Sequence, residues 1–125
     1  MTVVNVGAAN IASLIAAEYR VVAIGDGRDT TSASQTTMNH FITKKIGQTP
    51  TIVGSTLIYN VDFAGSDIPA SGVSEIGIFK TGTGESNGTT PPNGILLSRV
   101  TFTSTGTVAA SDTVSFTIRI EVDGQ

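Results

Sequence analysis

A chain of 125 residues, 39% of them hydrophobic, has room for one domain with one modest core; a second domain could not bury a core of its own. The absence of cysteine excludes disulfides and thiolate metal sites, and a net charge of −3 argues against nucleic acid, whose binders carry a basic stripe. Only 14% of residues are charged, against a usual value of about 25%, and Thr, Ser, Gly and Asn fill the gap, a mixture suited to strands with hydroxylated faces and Gly-rich turns.

Residues 1–19 leave two readings open: a short helix capped by Asn10, with Ile11, Leu14, Ile15 and Glu18 at helical spacing, or an apolar arm that orders against a partner. In the second reading Val3, Val4, Val6, Ile11, Leu14 and Ile15 are the contact residues. Residues 19–24 (YRVVAI) read as a strand that stops at Gly25-Asp26-Gly27. The stretch from Ser32 to Ile46 predicts a helix, capped by Ser32 or Ser34, with Met38, Phe41, Ile42 and Ile46 on one face; Gly47 and Pro50 end it.

From residue 51 the period changes to two. Leu57, Tyr59, Val61 and Phe63 point one way, and Ile58, Asn60 and Asp62 the other. Gly65, Pro69 and Gly72 then punctuate the chain before a strand over 73–80 (VSEIGIFK). Residues 81–94 hold no apolar side chain except the prolines and predict an exposed loop; 95–103 (ILLSRVTFT) is a further strand. The last strand is the clearest: Val114, Phe116, Ile118, Ile120 and Val122 alternate with Thr113, Ser115, Thr117, Arg119 and Glu121, one dry face and one wet. Val114, Phe116, Ile118 and Ile120 are expected to bury together with Leu57, Tyr59, Val61 and Phe63. The expected fold class is α+β, mainly β: an antiparallel sheet or small sandwich with one or two short helices, in one domain over 1–125.

Few residues offer chemistry. Gly25-Asp26-Gly27-Arg28-Asp29 follows a strand but lacks the third glycine of a dinucleotide fingerprint and the alternating acids of an EF-hand. A tight turn using positive-φ glycines is the expected reading, with ion binding left open. Gly82-Thr83-Gly84 is followed by no lysine, and Pro91-Pro92 stand where a phosphate-binding helix would begin. His40 is the only histidine and no G-x-S-x-G elbow accompanies it, so no Ser-His-Asp mechanism and no catalytic residue is assigned. No cofactor or metal is expected either.

Glu75 and Arg99 are charges inside otherwise apolar strands, and are unusual there unless paired. The simplest hairpin across the polar loop sets Phe79 opposite Ile95, Gly77 opposite Leu97 and Glu75 opposite Arg99, close enough for a structural ion pair.

Taken in order, Ile24-Gly25-Asp26-Gly27, the expected Thr-rich helix after it, LIYNVDF at 57–63, VSEIGIF at 73–79, ILLSR at 95–99 and SDTVSFTIRIEV at 111–122 resemble the N-terminal domains of phage tail-fibre and tail-collar proteins. The resemblance spans about residues 21–122 and implies a virion β-domain used for attachment. Three functions follow as expectations. The first is a capsid decoration or cement protein that binds the shell as an oligomer, a trimer in the simplest case. The second is a tail-fibre or baseplate attachment protein. The third is a carbohydrate-binding module, disfavoured by the absence of Trp and the presence of only two Tyr. The expected partners are the chain itself and a phage shell or tail protein, with neither nucleic acid nor membrane. No apolar run approaches a membrane span and no signal peptide is visible, so the expected location is the virion, assembled in the host cytoplasm.

Overall fold

The computed structural model describes residues 1–122. A helix, α1 (Asn5–Glu18), precedes seven strands: β1 (Val21–Gly25), β2 (Phe41–Lys45), β3 (Thr51–Val53), β4 (Thr56–Ala64), β5 (Glu75–Phe79), β6 (Leu96–Thr101) and β7 (Thr113–Glu121). The strands form two antiparallel sheets, A in the order β2-β1-β5-β6 and B in the order β3-β4-β7. The fold is α+β and mainly β.

Alternation places the core between the sheets. Leu57, Tyr59, Val61 and Phe63 of β4 are buried, and β7 sets Ile120, Ile118, Phe116 and Val114 opposite them. These β7 side chains are only half-buried, because β7 is the edge of its sheet. Sheet A contributes Val22, Ile24, Ile76 and Ile78 to the same core. Lys45 also reaches inward, its Nζ 5.6 Å from the centre of the Phe63 ring, a cation–π contact. β1 and β5 are buried on both faces, since a smaller cluster covers the outside of sheet A: Val21, Ala23 and Phe79 with Met38.

α1 approaches the core with its smallest side chains. Ala8 and Ala12 are fully buried, and Ile15, Ala16 and Tyr19 pack beside them. The Tyr59 hydroxyl donates to the Tyr19 carbonyl at 2.7 Å, tying the end of the helix to β4. Burial pushes the Tyr59 phenol up to about 12. The helix begins after Val4 with no side-chain cap, so Asn10, expected as the cap, lies in mid-helix on the exposed side.

The segment 32–46 and the β5–β6 register also require correction. The segment 32–46 is not a helix: residues 26–40 form a long loop, and Phe41–Lys45 is the edge strand β2. Met38, Phe41 and Ile46 do pack in one cluster, but from a loop and a strand, while Ile42 packs in the main core. Their helical spacing is coincidental, and the β-branched Thr30, Thr31, Thr36, Thr37 and Thr43 favour extended backbone. The second correction is the β5–β6 register. Gly77 faces Arg99 and Glu75 faces Thr101, two residues from the simple hairpin, because Ile78 pairs with Ser98 and Phe79 with Leu96, leaving Leu97 as a bulge. A slip of two preserves which face each side chain occupies, so Glu75 and Arg99 become diagonal neighbours on one face.

Candidate functional site: the clasped face of sheet A and the apolar helix

Glu75, Gly77 and Phe79 point to the outer face of sheet A, where the 26–40 loop lies. Gly77 makes the close approach possible, since a Cβ there would sit 2.6 Å from the Met38 sulfur. The Glu75 carboxylate is fully buried and saturated. Its Oε1 accepts from Arg99 Nε at 2.7 Å and from the Asn39 amide at 2.9 Å. Its Oε2 accepts from the amides of Gly27 and His40, each at 2.7 Å. Arg99 extends the grip: Nη1 donates to the Asp29 carbonyl at 2.9 Å, Thr31 Oγ1 at 3.0 Å and Gln35 Oε1 at 3.3 Å. Nη2 is buried without a protein partner.

The structure therefore brings Glu75 and Arg99 together, and the pair fastens a loop to a sheet. Burial alone would raise the Glu75 carboxyl, but the Arg99 guanidinium and three amide donors outweigh it and hold the group below its ordinary value. With its lone pairs committed to these donors, the carboxylate has none left for a substrate.

Gly25 and Gly27 belong to this clasp. Neither has a positive φ, so the expected positive-φ turn is not what they form. They are close-approach residues: a Cβ at Gly25 would lie 2.4 Å from the His40 carbonyl oxygen, and one at Gly27 only 2.3 Å from Glu75 Oε2.

A second buried pair fastens the other long loop. Lys44, on β2, and Glu85, in the 81–94 loop, form an ion pair whose side chains are 2% and 1% exposed. The Asn93 amide donates to Glu85 Oε1 at 2.9 Å, and Lys44 and Gly88 exchange backbone bonds of 3.1 Å in each direction. Hydrogen bonds from Lys44 and Asn93, with the charge of Lys44, hold the Glu85 carboxyl below its ordinary value although burial pushes the other way. Sequence reasoning misses this site, since Glu85 stands in a polar loop and Lys44 falls within the segment 32–46 that is expected to be helical.

His40 lies outside any helix, exposed, just ahead of β2. Its Nδ1 meets Asp26 Oδ1, and Ser71 Oγ donates to Asp26 Oδ2 at 2.5 Å. The serine bonds the aspartate and not the imidazole, so nothing here pairs a nucleophile with a base. The arrangement instead latches the start of the 26–40 loop to the turn before β5. The hydrogen bond and charge of Asp26 raise His40 above its ordinary value. For Asp26 burial alone would raise the carboxyl, but hydrogen bonds from Ser71 and His40, with the histidine's charge, lower it below 3.8. The latch contribution is thus complete only where both groups are charged. The His40 part is present below about pH 6.5 and is lost as pH rises through the raised histidine value. The Asp26 part is present above about pH 3.9 and is lost as pH falls through the lowered carboxyl value. Melting temperatures of wild type and His40→Gln are expected to converge above neutrality and to separate near pH 5. Parallel profiles across that range would refute the latch.

The expected contact residues divide on α1. Val3, Val4, Val6, Ile11 and Leu14 are exposed, whereas Ile15 is half-buried against the core and belongs to the fold. Val4, Gly7, Ile11 and Leu14 follow one another at steps of three and four, which lines them up along the helix. Between Thr2 and Ala17 there is no charged side chain.

Two of the surface clefts lie close to these features. An apolar mouth of about 430 Å³ opens between β6 and β7, walled by Ile76, Val100, Phe102, Phe116, Ile118 and Ile120. A polar cleft of about 350 Å³ lies beside the clasp, with Thr31, Ser32, Gln35 and Ser98 on its walls. Among the described residues no group of three His, Asp or Glu side chains could hold a metal ion, and no helix is long and apolar enough to cross a membrane. No family model matches this chain, and no curated protein matches it.

Proposed function

We propose that this protein is a non-enzymatic structural component of a tailed-phage particle, a capsid decoration or cement protein that assembles with itself and docks through α1. The exposed face of α1, with no charged side chain between Thr2 and Ala17, carries this reading. An apolar stripe of Val4, Ile11 and Leu14 has little reason to persist in water unless another chain covers it. Two loops held down by buried ion pairs support the reading too, because a repeated particle component needs a rigid outline rather than a mobile lid. The order of motifs from Ile24 to Val122, resembling tail-fibre and tail-collar domains, favours a second reading: an attachment protein of the tail, built on the same docking helix.

Ile11→Glu and Leu14→Glu change side chains that are 40% and 61% exposed, so both variants are expected to melt close to wild type. Burying one such side chain contributes about 1.5–3 kcal/mol, so each variant is expected to bind purified particles at least about tenfold more weakly. Unchanged co-sedimentation of both variants with particles would overturn docking through α1. Light scattering of the free protein tests the trimer expected of it.

A further inference from the structure

The two sheets have four free edges, and three of them are blunted. β2 is bulged and carries backbone bonds to Gly88 of the 81–94 loop. β6 is bulged at Leu97, and Thr31 Oγ1 donates to its Arg99 carbonyl at 3.1 Å. β3 has only three residues. β7 differs from all of these. It runs for nine residues in unbroken register with β4, contains no proline or bulge, and among the described residues makes no backbone bond on its other side. A long, straight, uncovered edge is a template for another strand.

The charges on that edge distinguish repulsion from recruitment. β7 carries two, Arg119 and Glu121, both exposed, and among the described residues neither forms an ion pair. Within sheet B they face Thr56 and Ile58, which cannot neutralise them. Like charges would keep a second copy away. Opposite charges two residues apart on one face are self-complementary when a strand meets its own copy antiparallel.

We propose that β7 pairs antiparallel with β7 of a second copy, about a two-fold axis at Ile120, and that Arg119 and Glu121 set this register. Arg119 of each copy then stands opposite Glu121 of the other, and Ile118 opposite Val122, so polar and apolar faces stay matched. Among antiparallel registers that keep the faces matched, only this one sets the two charges opposite each other. The two three-stranded sheets B become one continuous sheet, and the apolar walls Phe116, Ile118 and Ile120 continue across the axis. Ile118–Val122 is a short paired segment, which places the contact among weak, concentration-dependent ones. It strengthens where copies are already held side by side. The contact uses no residue of α1 and stands apart from the docking proposed above; being two-fold, it joins two copies and is separate from the contacts of a trimer.

The test is charge reversal with rescue, read as the self-association constant from sedimentation equilibrium. Arg119→Glu puts like charges opposite each other at both ends of the axis and is expected to weaken association about tenfold or more. Glu121→Arg is expected to do the same. The double variant Arg119→Glu/Glu121→Arg restores both pairs and is expected to return to within about threefold of wild type. All three variants should melt as wild type does, since both side chains are exposed. The same pattern is expected in a Leu14→Glu background, which separates this contact from α1. Wild type that stays monomeric at every concentration, single reversals that associate normally, or a double variant that is not rescued would each overturn the proposal.

Discussion

Arg99→Ala is expected to lower stability by about 3–5 kcal/mol, a large share of the roughly 5–15 kcal/mol that a domain possesses. The loss is that large because the substitution strands a carboxylate. Glu75 and Arg99 side chains are both wholly buried, so water cannot replace the guanidinium at 2.7 Å. Amides of Gly27, Asn39 and His40 would still donate to the carboxylate, but the ties from Arg99 to Asp29, Thr31 and Gln35 would go. The 26–40 loop should therefore loosen, with faster hydrogen exchange at those three amides. Replacing the pair together, as Glu75→Leu with Arg99→Met, should cost much less, since no buried charge is left alone. Urea unfolding of the two variants measures both effects. An Arg99→Ala protein as stable as wild type would mean that the pair does not fasten the loop.

Phe63→Ala is expected to cost about 3–5 kcal/mol, with Phe116→Ala clearly milder. The two rings pack edge to face with their centres 6.3 Å apart, but their surroundings differ. Phe63 is 1% exposed at the centre of the inter-sheet core, beneath the Lys45 ammonium. Phe116 is half-buried at the open mouth beside β6, where water already reaches it and truncation leaves less of a closed cavity. Thermal unfolding of both variants gives the comparison. Equal losses would show that the mouth is shut in solution, and a concentration-dependent loss at Phe116 would point to closure by a second copy.

The strands facing the core were legible because period-two alternation is a direct consequence of the pleat. Leu57-x-Tyr59-x-Val61-x-Phe63 and Val114-x-Phe116-x-Ile118-x-Ile120 sort themselves onto one face without further information. Glu75 and Arg99 stood out for the converse reason, as charges among apolar neighbours. Their register was not legible. A bulge at Leu97 leaves no mark in composition, and a polar loop as long as 81–94 does not dictate how its strands meet.

The helix expected over 32–46 failed because apolar residues in an irregular loop can fall at helical spacing by chance, and the competing signal, a high threonine content, was the better guide. Lys44 and Glu85 were hidden by distance in sequence. One sits in a strand and the other in a loop, and only the fold brings them together. Gly25 and Gly27 drew attention as turn residues, yet their role is to let a carboxylate approach the backbone. The exposed stripe on α1 was legible only as a pair of alternatives, since an Ala-rich segment fits a helix and an arm equally well until Ala8 and Ala12 are seen against the core.

The proposed role as a component of a virus particle can be checked by counting copies of the chain there. Virus particles produced from the genome that carries the gene would be purified by density gradient, and this chain quantified by mass spectrometry against labelled standards. The decoration reading predicts copies in proportion to the shell protein, many tens to hundreds per particle as an order of magnitude for contacts repeated by symmetry. A handful of copies would move the protein to the tail. Absence from particles that are otherwise complete would contradict the proposed role.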